Sequence, residues 1–234
     1  MRILPVIITL TLLTSSVWAD GVSVNLIEGN TVIPIQNNNI RMLSEVVKIS
    51  EDAKVTADFV FENLSDASVP LKMGFPVVRG DDSFIKFKAW VNGKSIKVTL
   101  SDLSQQKESI LKNQYKDFKR LDMFVWNVSF QKREKKNVRV EYMGQWGSDP
   151  RTYPEQKFVY ITRTGALWSE NIGKADFYMT LPDDIVRTFA DESFRYKLRV
   201  KPIGYKKRAN KIEWHFTNWK PTVDIEVSVE EKRK

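Results

Sequence analysis

The 234-residue sequence contains no cysteine and one histidine, His215. Without cysteine there is no disulfide, no thiol nucleophile, no thiolate zinc site and no iron–sulfur site. A fold must then be held by core packing alone, and no lipid anchor on a cleavage-site cysteine is expected. A single histidine excludes a His-rich metal site, and a Ser-His-Asp arrangement would have to use it. His215 alternates with Ile212, Trp214 and Phe216, which places it on the opposite, outer face of a strand. No glycine-rich phosphate loop, EF-hand loop or HExxH pattern occurs. Ser148 in Gly147-Ser148-Asp149 lacks the strand–serine–helix setting of a nucleophile elbow and reads as a turn. No metal ligands, cofactor or catalytic residues are expected.

Long apolar runs are scarce too. Residues 3–13 form the one marked run, preceded by Arg2 and followed by Val17-Trp18-Ala19. This is the pattern of a secretory signal peptide over 1–19 with cleavage before Asp20. It is shorter than the ~20 residues of a membrane span. The expectation is an exported protein, periplasmic or secreted, with no transmembrane segment in the mature chain. The formal charge is +8. Basic clusters at 132–136, 206–208 and 232–234 lie in predicted turns or at the terminus. They read as solvated loop tips or as attraction to an anionic envelope surface. Nucleic acid is not an expected partner of an exported chain.

What the sequence has in quantity is alternation of period two, the mark of half-buried strands. Val55, Ala57, Phe59 and Phe61 alternate with polar residues. After a polar break at 63–68 the pattern resumes with Val69, Leu71, Met73 and Phe75. This predicts two adjacent antiparallel strands sharing one apolar face. Further strands are predicted at 31–35, 42–49, 158–164, 175–181, 194–200, 211–216 and 223–229. Residues 84–91 and 95–100 flank Asn92-Gly93, the signal of a type I′ hairpin. Residues 123–130 and 138–142 are expected to pair across the basic turn 131–136. Residues 101–118 change period: Leu103, Lys107, Ile110, Leu111, Gln114 and Phe118 follow helical spacing, with Ser101 or Asp102 as cap. Residues 182–192 stay open between a loop and one helical turn. A composition break at 144–154 sets the boundary between an N-terminal β-sandwich domain, 20–145, and a C-terminal β domain, 146–234. The expected fold is mainly β: two β-sandwich-like domains, with an amphipathic helix over 102–118 packed on the first.

Seven tryptophans offer the best remaining functional clue. Trp126 and Trp214 fit core positions. Trp146, Trp168 and Trp219 fall at strand ends or in loops, with Tyr153 and Arg163. These five residues form the candidate binding site, since exposed aromatics beside polar groups stack on sugar rings or anchor protein partners. The alternative is that they plug the ends of the sandwiches. Asp81-Asp82 and Asp183-Asp184 sit in turn-like stretches, and Glu45 and Glu170 are isolated. A hydrolase using two distant carboxylates stays open. The sequons at Asn63-Leu64-Ser65 and Asn127-Val128-Ser129 read as chance occurrences.

Several motifs recur in a fixed order: Ile40-Arg41-Met42-Leu43-Ser44-Glu45, Phe59-Val60-Phe61-Glu62-Asn63, Met73-Gly74-Phe75-Pro76, Thr164-Gly165-Ala166-Leu167-Trp168, and Trp214-His215-Phe216-Thr217-Asn218 with Pro221. In this order the chain resembles a family of exported proteins of Gram-negative bacteria catalogued as a domain of unknown function. The resemblance implies a secreted or periplasmic two-part β protein and supplies no catalytic residues. The leading expectation is a non-enzymatic binding or interaction protein whose partner is a protein, a glycan or an envelope or host surface. The alternatives are a polysaccharide hydrolase using a carboxylate pair and a structural accessory of an envelope assembly.

Overall fold

The computed structural model describes residues 22–27, 31–79, 85–102, 120–148, 156–190 and 196–231. Within them the alternating segments become strands of three sheets, and the fold is mainly β. A five-stranded sheet runs in the order β2 (Thr31–Ile35), β1 (Val22–Ile27), β5 (Val69–Arg79), β9 (Arg120–Phe130), β8 (Thr99–Asp102). An eight-stranded sheet runs β15 (Lys206–Arg208), β16 (Lys211–Trp219), β13 (Ile172–Thr180), β3 (Ile40–Ile49), β4 (Lys54–Asn63), β10 (Lys135–Met143), β6 (Lys88–Val91), β7 (Lys94–Ile96). A four-stranded sheet runs β11 (Gly147–Ser148), β12 (Gln156–Tyr160), β17 (Ile225–Glu231), β14 (Tyr196–Lys201). The pairing of β13 with β3 is parallel; the other pairings are antiparallel.

The period-two pattern predicts burial well. Val55, Ala57, Phe59 and Phe61 of β4 are buried, as are Leu71, Met73, Phe75 and Val77 of β5. The expected pairing of these two strands is not what forms. β4 pairs with β3 and β10, and β5 pairs with β1 and β9. The polar break carries the chain from one sheet to the other, so the two apolar faces meet across the core, with the Phe59 and Phe75 rings 6.2 Å apart. Residues 131–134 do the same between β9 and β10, which are not partners either. Alternation fixes which residues point inward, but it is the same for strands side by side and strands facing each other across about 10 Å.

The two crossings are stitched together. Asn63 N–H donates to the Glu134 carbonyl at 2.9 Å, and its side-chain amide donates to the carbonyls of Ala67 and Gln131, both at 2.8 Å. Its Oδ1 accepts from the backbone N–H and the hydroxyl of Ser65. Asn63 is thus fully buried with its amide saturated, which leaves no access for a glycan at that sequon.

The Asn92-Gly93 turn forms as predicted, with φ of 49° and 76° between β6 and β7. The strand predicted over 158–164 ends at Tyr160. Asp224 Oδ1 accepts the backbone N–H groups of Thr162 and Arg163 and turns the chain into a 3-10 helix, Arg163–Leu167. The open segment at 182–192 contains helix α1 (Asp183–Ala190), whose first turn carries Asp183 and Asp184, suited to a helix N-terminus.

Strands from both sides of the 145/146 boundary share the eight-stranded sheet, where β13 lies beside β3. Buried side chains of both segments also mix: Tyr160 packs near Phe75 and Phe177. The expected signal peptide lies outside the described residues. So does the expected helix, except that Asp102 ends β8.

Candidate functional site

The residues singled out from the sequence are placed as follows. Trp168, which follows the 3-10 helix, is 2% exposed and packs its ring 4.9 Å from that of Phe61. Trp146 is half-buried, 5.5 Å from Phe158. Trp219 at the end of β16 is half-buried too, stacked on Phe216 at 4.4 Å and edge-on to Phe177 at 5.6 Å. Arg163 makes a bidentate pair with Asp224 Oδ2, at 2.7 Å from Nη2 and 3.0 Å from Nε. Tyr153 lies outside the described residues.

A carboxyl that looked isolated in the sequence turns out to sit in the core. Glu45 is fully buried, with Phe59 and Ala175 as its cross-strand neighbours, and Tyr160 O–H donates to its Oε1 at 2.9 Å. A β-bulge explains its position. The register of β3 against β4 slips between Met42 and Ser44, so Leu43 is the extra residue. Ile40 and Met42 point inward before the bulge, and Glu45, Val47 and Ile49 after it. The bulged backbone presses on Gly173, where a β-carbon would stand 2.6 Å from the Leu43 carbonyl oxygen.

The outer face of the eight-stranded sheet is polar and carries a groove of about 320 Å³ over β3, β4, β13 and β16. Lys48, Ser50, Lys54, Thr56, Tyr178, Thr180, Lys211 and Glu213 line it together with Ile49, Met179 and Ile212. Their placement follows from pairing: Tyr178 stands opposite Lys48 on one side and Glu213 on the other, and Lys48 stands opposite Thr56. The apolar inward positions of the same strands are locked in the core, so the outward row is fixed in space. Lys54 shares its charge with Glu141 at 3.6 Å.

Beside the groove lies a charged network on β13 and β16. His215 Nδ1 meets Asp176 Oδ1 at 2.8 Å, Lys174 reaches Asp176 Oδ2 at 2.7 Å, and the Tyr178 ring lies edge-on to the imidazole at 5.6 Å. Burial would raise the pKa of Asp176, but the bonds from Lys174 and His215 outweigh it and hold the carboxyl below its ordinary pKa. His215 Nε2 faces Glu213 Oε2 at 3.6 Å. A carboxylate therefore occupies the side where a triad would present its hydroxyl nucleophile. Among the described residues no group of three or more His, Asp or Glu side chains is placed to hold a metal ion. The sequence placed His215 on the outer face correctly. It did not reveal the groove, because the lining residues come from four strands whose neighbours alternation does not specify.

No curated protein matches the chain in sequence. Among solved structures, a candidate nutrient binding protein from Legionella pneumophila aligns with a TM-score of 0.62 and 18% identity, covering 92% of this chain and 72% of that one. This likeness shows a shared fold. A two-domain M1 zinc metallopeptidase variant bound to L-arginine aligns at a TM-score of 0.32 and 9% identity, covering 84% of this chain and 44% of that one. A candidate protease from Parabacteroides distasonis aligns at 0.38 and 9%, covering 82% and 40%. The resemblance carried by the N-terminal motifs is borne out in the family comparison: residues 23–109 match the family described as Domain of unknown function (DUF4424).

Proposed function

We propose that this chain is an exported, non-enzymatic binding protein that takes a small anionic ligand in the groove over β3, β4, β13 and β16. The groove carries the reading. Its volume of about 320 Å³ falls at the small end of the range for ligand sites, roughly 300–1,000 Å³. Three lysines set its charge, with Tyr178 and Thr56 as hydroxyl partners and Glu213 as an acceptor for a ligand hydroxyl or amine. Lysines act here as compact point charges that suit a carboxylate or phosphate. The Legionella structure of the same fold, described as a candidate nutrient binding protein, supports a binding role. The Glu213 carboxylate, 3.6 Å from His215 Nε2, stands where a hydroxyl nucleophile would lie and argues against a Ser-His-Asp reading.

The test is calorimetric titration with small carboxylates, phosphates and acidic sugars at low and moderate salt. The expected result is saturable binding that Lys48→Ala and Lys211→Ala weaken while the melting temperature holds. Binding insensitive to both substitutions but lost in Trp146→Ala or Trp219→Ala would move the site to the half-buried aromatics. Ligand turnover would overturn the non-enzymatic part. Export is checked separately: N-terminal sequencing of the secreted or periplasmic protein should begin at Asp20.

A further inference from the structure

Two internal basic clusters stand out in the sequence. At 131–136 the cations are answered locally. Asp66 accepts from Lys132 and Arg133, both at 3.2 Å, and Lys136 pairs with Glu134 at 2.7 Å. Residues 196–211 instead hold seven lysines and arginines and no aspartate or glutamate. Arg199 and Lys201 find Glu230 and Glu226 on the neighbouring strand β17. Lys206, Lys207 and Arg208 form the edge strand β15, and all three are exposed. Glu213 on β16 stands opposite Lys206.

Between β14 and β15 the chain presents an apolar tip. Ile203 is 88% exposed, far more than any other large apolar side chain described. The tip is held from beneath. Trp214 is fully buried, its indole N–H donates to the Pro202 carbonyl at 3.0 Å, and the Tyr205 ring lies 6.3 Å from the Trp214 ring. Gly204 makes the turn at a φ of +91°, which a side chain would strain. The core thus fixes an isoleucine in the solvent, with a tyrosine behind it and three cations on the strand that follows. An aliphatic tip, an amphipathic aromatic and exposed cations are the elements that seat a protein on an anionic bilayer surface.

We propose that loop 202–205 and β15 dock this protein on a bilayer surface rich in anionic lipid. Ile203 enters the acyl boundary, and Lys206, Lys207 and Arg208 lie among the headgroups.

The absence of cysteine makes a site-specific test direct. The full chain carrying Ile203→Cys is labelled with an environment-sensitive fluorophore, and Ala67→Cys, exposed beside the 131–136 cluster and leaving the Asp66 ion pairs in place, serves as the reference. With vesicles containing phosphatidylglycerol, the label at 203 should shift to the blue and the label at 67 should not. Neutral phosphatidylcholine vesicles should give no shift. Combining Lys206→Glu with Arg208→Glu should weaken the effect by at least the roughly fivefold expected for each lost cation. Unlabelled Ile203→Asn should reduce co-sedimentation with the same vesicles about tenfold relative to the parent. No shift at 203, or equal shifts at 203 and 67, overturns the proposal. So does an equal shift at 203 with soluble polyglutamate, which would make the surface a contact for acidic polymers rather than for a membrane.

Discussion

The carbonyl oxygen of Leu43 lies 2.6 Å from the point a β-carbon on Gly173 would occupy. No real side chain fits at that distance from fixed backbone. Gly173 is therefore what allows the Leu43 bulge to sit against β13, and the bulge in turn brings Glu45, Val47 and Ile49 to the inward face of β3. Gly173→Ala should cost about 1–3 kcal/mol, the range for forced overpacking, and lower the melting temperature by about 2–4 °C per kcal/mol for a chain of this size. Thermal unfolding followed by circular dichroism measures it. An unchanged melting temperature would mean that the bulge and β13 can separate without loss.

The same bulge makes the Tyr160–Glu45 hydrogen bond testable. Tyr160→Phe removes one buried donor from Glu45 and should destabilise by about 1–3 kcal/mol. Replacing both partners by apolar residues of similar volume, Tyr160→Phe with Glu45→Met, should cost less than the sum of the two single changes, because neither polar group is then left without its partner. A double-mutant cycle by denaturant unfolding gives the coupling directly. Strict additivity would show that the 2.9 Å contact contributes nothing specific.

How far the sequence was legible depends on which interaction set each feature. The inward residues of β4 were readable because burial there follows a local period. The turn at Asn92-Gly93 was readable because positive φ demands those residues. Partner strands were not readable: the breaks at 63–68 and 131–134 carry ordinary turn residues, and whether a turn folds back or crosses over is decided by long-range contacts such as those of Asn63. The bulge left a trace in β3, where Ile40 and Met42 are one residue out of phase with Val47 and Ile49, and Glu45 falls in the inward phase. The 3-10 helix after Tyr160 depends on Asp224, some sixty residues away in sequence. Of the aromatic candidates, Trp168 looked like a loop residue because its burial comes from Phe61 on another strand. The groove needs four strands in register, and no local pattern encodes that.

Asn63 joins the two crossings, and its substitution separates hydrogen bonding from shape. Asn63→Asp keeps the volume and the acceptor but removes the donors to Ala67 and Gln131, leaving a charge in a fully buried site. It should destabilise more than Asn63→Ala. Both should fall at or above the ~2–3 kcal/mol expected for losing buried bonds and leaving backbone carbonyls unsatisfied. The denaturant midpoint of the two variants checks the order. If Asn63→Asp were the milder change, the retained volume and the bonds Oδ1 accepts from Ser65 would outweigh the buried charge.

Asp176 and Glu226 both have pKa values below the ordinary carboxylate value in the folded chain. For Asp176 burial opposes the shift, and the bonds from Lys174 and His215 overcome it; for Glu226 burial is overcome by Lys157 and Lys201. In the unfolded chain each carboxyl regains its ordinary value near pH 4. As pH falls through that value, the unfolded state takes up protons that the folded state still refuses, so stability declines. The contribution is complete above the ordinary value, shrinks below it, and is gone once pH has passed the lowered folded values. Melting temperature should therefore hold between about pH 6 and 5 and drop steeply below about pH 4. Asp176→Asn removes one of the lowered carboxyls, so its melting temperature should start lower and fall less steeply over the acid limb. Raising salt should flatten the parent's limb too, since Lys174 is exposed and its attraction is screened. If Asp176→Asn followed the parent's slope at every pH, Asp176 would titrate alike in the folded and unfolded chains, and its bonds to Lys174 and His215 would add no stability.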